Sequence, residues 1–277
     1  MTFTDEYADV DGVQTRYWRV GRGGVPLVLL HGLGGTIEDW VGTITPLALD
    51  REVIAFDLVG CGKTDKPSDC AYTPADMLAH AQGTIEALGL ATFDIGGWSL
   101  GGRIALQIAY AAPEQVRRLV LTAPAGIGAD TIVKLDAPLP ELLSQIVTRP
   151  TASGLRVLRN ATQSDNAWRL LKFAARRVSL VTDSPSRTAF TRQLRGLVGP
   201  RGYLKGPRSI LRHQMPSIET PTLAIWGEED IFAPYEHSAQ LLELMPHCKL
   251  YSIPDCGHAP HVEFPDIYAK AVREFLD

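Results

Sequence analysis

Cysteine is scarce. Cys61, Cys70, Cys248 and Cys256 are the only four in 277 residues, too few for a disulfide-stapled domain, and no two stand at C-x-x-C spacing. They read as free thiols. No stretch approaches about 18 uninterrupted apolar residues, so no membrane-spanning helix is expected. The first residues, MTFTDEYADVDG, carry acids where a secretory signal would carry positive charge ahead of an apolar run. A soluble, cytoplasmic protein is the expectation. Internal repeats and low-complexity tracts are also missing, which excludes a repeat array.

What is present is a 45% hydrophobic chain, long enough for one large α/β domain with an inserted subdomain. The net charge of −4 hides a division. Residues 126–215 hold 15 Lys and Arg against 5 Asp and Glu, a local +10, so the rest carries −14. Two readings stay open: the arginines merely solvate exposed helices, or the segment presents a positive face that attracts an anionic substrate or an acidic carrier-protein partner. RGYLKGPR lies outside any recognised nucleic-acid module, and no nucleic-acid partner is expected.

The flanks alternate strand and helix signals, the pattern of a mostly parallel sheet covered by helices on both faces. Apolar runs in VPLVLLHG, REVIAFD, ATFDIGGWS, VRRLVLTAP, TPTLAIWG and CKLYSIPDCGH predict strands. EYADVDGVQTRYWRVG alternates around Asp11-Gly12 and predicts an antiparallel hairpin. The clearest helix has Thr73 as N-cap, Pro74 at its first position, Asp76 in the first turn and Gly89 closing it. Others are predicted near 36–48, 100–111, 235–245 and 264–276. The alternation stops after Thr122 and resumes at Pro221, and helix-prone stretches such as RTAFTRQLRGLVGPRGYLKGPRSILRH fill the gap. A core of 1–125 and 216–277 with a helical cap at 126–215 is predicted.

One stretch demands chemistry. In GGWSLGGRIAL, residues 96–106, Ser99 stands between Gly97 and Gly101 where a strand signal gives way to a helix signal. A serine hydroxyl is a poor nucleophile unless a base takes its proton and its side chain is held clear of neighbours. In G-x-S-x-G between strand and helix, a sharp strained turn exposes the serine, and the glycines relieve the crowding.

HGLGG (31–35), DLVGCGKTDKP (57–67), GWSLGG, WGEEDIFAP (226–234) and GHAPHVEFP (257–265) follow in that order. Together they resemble the α/β-hydrolase superfamily over nearly the whole chain outside 126–215, with Thr64 where serine is usual. The resemblance implies the α/β-hydrolase fold and a triad of Ser99, Asp230 and His258, each on a loop after a strand. His258, with a reference pKa of about 6.5, would take the Ser99 proton and return it to the leaving group. Asp230 would orient the ring. The resemblance puts the oxyanion donors at the backbone N–H groups of Leu33 and Leu100. No cofactor or metal is implied.

Other residues are set against this assignment. His31 is expected to brace its turn, His261 to be held by neighbours, Asp57 to form a structural turn, and Trp40 to pack. Cys61 has no histidine near it in sequence and is not expected to act as a nucleophile. Trp98 and Trp168 are candidate pocket residues, with Leu139, Leu142, Leu143, Ile146, Leu171 and Phe173 as further apolar surface from the cap.

Serine at position 99 excludes the aspartate-dependent epoxide and halide chemistries of the superfamily. Hydrolysis of esters, thioesters and lactones, acyl transfer, perhydrolysis, and cleavage of carbon–carbon bonds in vinylogous diketones remain. Carbon–carbon hydrolases match in size and lid, and often carry an aromatic residue directly after the catalytic histidine, where this chain has Ala259. The expectation is hydrolysis of a small carboxylic ester through an acyl-enzyme. The alternatives are a carbon–carbon hydrolase, and a ligand receptor retaining a slow triad.

Overall fold

Asp11 and Gly12 both take positive φ, 51° and 84°, as a type I′ hairpin turn requires. They join β1 (Glu6–Val10) to β2 (Val13–Val20) in antiparallel register, Val10 opposite Val13. The computed structural model describes residues 3–129, 183–199 and 202–277. Beyond the hairpin come β3 (Leu27–Leu30), a 3-10 turn (Ile37–Trp40) running into α1 (Val41–Leu47), β4 (Val53–Phe56), α2 (Pro74–Ala87), β5 (Phe93–Trp98), α3 (Leu100–Ala111) and β6 (Val116–Thr122). After residue 182 follow α4 (Ser184–Leu197), a two-residue pair β7 (Val198–Gly199) and β8 (Gly202–Tyr203), α5 (Lys205–Gln214) and β9 (Thr222–Gly227). The chain ends with α6 (Glu236–Leu244), β10 (Lys249–Ile253), α7 (Pro260–Glu263) and α8 (Pro265–Leu276).

Eight strands form one sheet in the order β1-β2-β4-β3-β5-β6-β9-β10. Both pairings of β2 are antiparallel, and all the others are parallel. The period-2 alternation of a strand sends Leu27 and Leu29 to one face, with Ile44 and Leu47 of α1 and Tyr268 and Val272 of α8. Val28 and Leu30 face the other side, with Met77 and Ile85 of α2 and Ile104 of α3. Burial on both faces explains the unbroken apolar runs. Each fully buried leucine contributes about 2 kcal/mol.

The predicted caps of α2 form. The Thr73 hydroxyl accepts from the Asp76 amide at 3.2 Å, and the Asp76 carboxylate accepts from the Thr73 amide at 2.9 Å. At the other end Gly89 has φ 68°, its N–H donates to the Glu86 carbonyl, and that of Leu90 donates to the Ile85 carbonyl. The helix-prone stretch near 187–213 forms α4 and α5, with the β7–β8 ladder between them. Gly199, Pro200 and Gly202 supply the reason, since proline lacks the helix donor and glycine carries the largest backbone entropy cost.

The described parts of 126–215 rest on the core. Phe190, Leu194 and Leu197 of α4 join the cluster under α2 and α3. Gln193 Nε2 donates to the Val59 carbonyl at 3.0 Å, and Arg212 Nη1 to Gln240 Oε1 at 3.2 Å. Trp168 and the apolar residues from Leu139 to Phe173 lie outside the described residues.

Candidate active site

Between the end of β5 and the start of α3, Ser99 alone turns the chain, with φ 54° and ψ −112°. This conformation costs a non-glycine residue on the order of 1–3 kcal/mol. Neighbouring backbone holds it there. Ser99 N–H donates to the Thr122 carbonyl at 2.9 Å, and its carbonyl accepts from the amides of Arg103 and Ala125, each at 3.0 Å. The flanking glycines are required by close approach of backbone. A Cβ on Gly97 would overlap the Gly101 carbonyl, and one on Gly101 would overlap the carbonyls of Leu30 and His31.

Those last two carbonyls belong to the end of β3 and the loop carrying Leu33. The His31 ring braces this loop. Its Nε2 accepts from the Leu58 amide at 3.0 Å, so Nδ1 carries the proton and donates to the Gly32 carbonyl at 2.8 Å. Leu100 is the first residue of α3, where a helix leaves its amides without intrahelical acceptors. Trp98 joins the two loops, because a Cβ on Gly32 would stand 2.8 Å from its ring.

Asp230 follows the end of β9. One of its oxygens accepts from the amides of Phe232 (2.8 Å) and Ala233 (2.9 Å), and the other meets His258 Nδ1 at 2.7 Å. A carboxylate only accepts, so the imidazole carries its proton on Nδ1 and leaves Nε2 as a basic lone pair. The His258 carbonyl accepts from the Trp98 indole N–H at 2.7 Å, which ties the histidine loop to the residue before Ser99. Phe232 stands beside the imidazole, ring centroids 5.3 Å apart. The structure thus brings Asp230 and His258 into direct contact and anchors the His258 loop to the Ser99 turn.

The sequence model for the α/β-hydrolase fold matches residues 25–265. The chain belongs to this family.

Three similar proteins refine the picture. The 2-hydroxy-6-oxo-6-(2'-aminophenyl)hexa-2,4-dienoic acid hydrolase of Metapseudomonas resinovorans is 30% identical over 99% of this chain and 91% of its own. The 2-hydroxymuconate semialdehyde hydrolase of Pseudomonas putida is 29% identical over 91% of this chain and 87% of its own. A solved meta-cleavage product hydrolase from Pseudomonas fluorescens superposes with a TM-score of 0.79 at 26% identity, covering 98% of this chain and 96% of that one.

In this α/β-hydrolase the other sequence candidates have different tasks. Asp57 accepts from the amides of Ile37 (2.8 Å) and Lys63 (2.9 Å) and from Arg16 Nη1 (3.3 Å). Burial pushes its pKa up, against the pull of nearby positive charge and these donors. Its carboxyl is committed to the 57–67 turn. Thr64, standing where serine is usual, accepts from the Arg16 amide and donates to the Asp57 carbonyl, each at 2.9 Å. His261 is fully buried among Trp40, Trp98 and Tyr268. Burial pushes the Cys61 thiol up to about 12, far from the thiolate a nucleophile needs. Trp98, a pocket candidate, is 4% exposed and acts as the brace described above.

Two neighbours of His258 went unread in the sequence, Phe232 and Glu263. Phe232 had a usable signal, its place two residues after Asp230, whereas Glu263 had only its five-residue spacing from His258. Among the described residues no group of three or more His, Cys, Asp or Glu is placed to hold a metal, and no helix is long and apolar enough to cross a membrane.

Proposed function

We propose that this protein hydrolyses a carbon–carbon bond in a vinylogous diketone of the 2-hydroxy-6-oxodienoate class, using Ser99, His258 and Asp230. The observation that carries the reading is likeness to dienoate and semialdehyde hydrolases along nearly the full length of both chains. The chemistry suits the site. Ser99 Oγ attacks the C6 ketone while His258 Nε2 takes its proton, and Leu33 and Leu100 amides stabilise the oxyanion. Carbon–carbon cleavage needs the departing carbon to leave as a stabilised carbanion. A 2-oxo tautomer conjugated through C3=C4 supplies this: the electron pair of the C5–C6 bond delocalises onto the C2 oxygen, and the imidazolium returns its proton. The acyl group left on Ser99 is then hydrolysed by water activated at His258.

Ester hydrolysis stands second, favoured by Ala259 in place of an aromatic residue. Assay of a 2-hydroxy-6-oxo-6-arylhexa-2,4-dienoate beside a p-nitrophenyl acyl ester separates the two. Consumption of the dienoate with equimolar aryl acid and 2-hydroxypenta-2,4-dienoate supports carbon–carbon cleavage. Turnover of the ester alone replaces that reading with the second.

The local +10 of residues 126–215 suits the substrate carboxylate, and would equally suit an acidic carrier protein. Between roughly 0.01 M and 0.5 M salt, kcat/KM for the dienoate is expected to fall several-fold while that for a neutral ester holds. Equal salt responses would exclude steering by this charge.

A further inference from the structure

His258 sits on the loop between β10 and α7, and a loop presents a base accurately only if its backbone is held. Glu263, the last residue of α7, turns back beneath it. Its Oε2 accepts from the Gly257 amide and its Oε1 from the Ala259 amide, each at 3.0 Å. These amides flank the histidine on both sides. The Trp98 indole takes the carbonyl between them and Asp230 takes the ring Nδ1, so three separate segments grip residues 257–259.

The choice of a carboxyl here is informative. Glu263 is only 5% exposed, and burial, reinforced by Asp230, pushes its pKa up to about 8 against the pull of the two amides. An apolar side chain would fill the same space without that desolvation cost, but would leave two buried N–H groups unpaired. Glutamine has one acceptor oxygen in place of two and cannot satisfy both amides. The two-oxygen group matches the spacing of the amides around a single residue.

We infer that Glu263 is a positioning residue for the triad: by bridging the amides of Gly257 and Ala259 it fixes the backbone at 258, so that the imidazole keeps Nδ1 on Asp230 and presents Nε2 toward Ser99. Glu263 does not touch substrate. The inference rests on Ser99, Asp230 and His258 as the catalytic set and is independent of which bond they break.

The test compares native protein, Glu263→Gln and Glu263→Asp in steady-state kinetics and thermal unfolding, on whichever of the two assay substrates is turned over. The proton NMR signal of His258 Nδ1–H, assigned by selective histidine labelling, supplies a readout without turnover. Glu263→Gln is expected to lower kcat about 10- to 100-fold with KM within about twofold, as a displaced base would. Its imidazole proton signal is expected to shift or broaden. Glu263→Asp, which keeps both acceptor oxygens on a shorter stem, is expected to recover part of kcat and of the signal. Native kcat and an unmoved signal in Glu263→Gln overturn the inference, whatever happens to the melting temperature. Should Glu263→Gln fail to fold, native kcat and imidazole signal in Glu263→Asp together with displaced Gly257 and Ala259 amide signals overturn it, and a partial loss of kcat and of the imidazole signal supports it. Activity surviving Ser99→Ala would remove the catalytic assignment instead, while the NMR comparison would still report whether Glu263 holds the imidazole.

Discussion

Ser99→Ala is expected to lower kcat/KM on the order of 10⁴-fold or more on any substrate the protein turns over, with substrate binding retained. Burst and steady-state product release from native and variant protein measure it. The size of the loss is that of a triad deprived of its nucleophile. Cys61, the thiol on the 57–67 turn, is buried, and burial pushes its pKa up to about 12. A companion variant reads the strain in the turn. Ser99→Gly removes the side chain from a residue at φ 54° and is expected to stabilise the folded protein by about 1 kcal/mol in urea unfolding while being equally inactive. A less stable Ser99→Gly would show that the serine side chain contributes more to the fold than the turn costs.

The second large effect concerns acid. His80 is buried, its Nδ1 faces the Val59 amide at 3.2 Å, and its Nε2 meets the Thr15 hydroxyl at 2.8 Å. Protonation would point a second N–H at the Val59 N–H. Burial lowers the His80 pKa from 6.5 to about 4. In the window between these values the unfolded chain binds the proton that the native protein refuses. The stability held above pH 6.5 is therefore lost as pH falls, about 3 kcal/mol in all once pH passes below 4. Glu263 acts in the opposite sense: its folded pKa of about 8 lies above the ordinary 4.5, so its contribution declines as pH rises between those values. Comparing native protein with His80→Gln in urea unfolding at pH 7 and pH 5 isolates the histidine, because Glu263 is common to both. The variant is expected to lose about 2 kcal/mol less than native over that interval. Equal losses would mean that His80 titrates at its ordinary value.

The sheet was legible because its central strands are apolar on both faces, so Leu27–Leu30 and Val53–Phe56 announce themselves as unbroken runs. The Ser99 turn was legible because close packing of backbone against backbone admits only glycine at 97 and 101. The break at 198–203 was less visible, since the helical spacing on either side of Gly199 and Gly202 masks a two-residue ladder. Least legible were the side chains that act through backbone. A glutamate that binds amides four and six residues before it leaves no period and no motif of its own. Trp98 presents itself in sequence as an aromatic wall beside the serine, and only the fold reveals that its indole N–H is directed at the His258 carbonyl.

The contact of Gly101 with the carbonyls of Leu30 and His31 bears on how such a protein is redesigned. The turn carrying Ser99, the proposed nucleophile, and the loop carrying Leu33, the proposed oxyanion donor, share one seam, where each is shaped by the absence of atoms in the other. Neither segment is a module that can be exchanged alone. A graft of 97–102 into another scaffold must carry 30–32 with it, and a library aimed at new substrates should hold both constant and vary positions such as Phe232, which borders the imidazole without entering that seam.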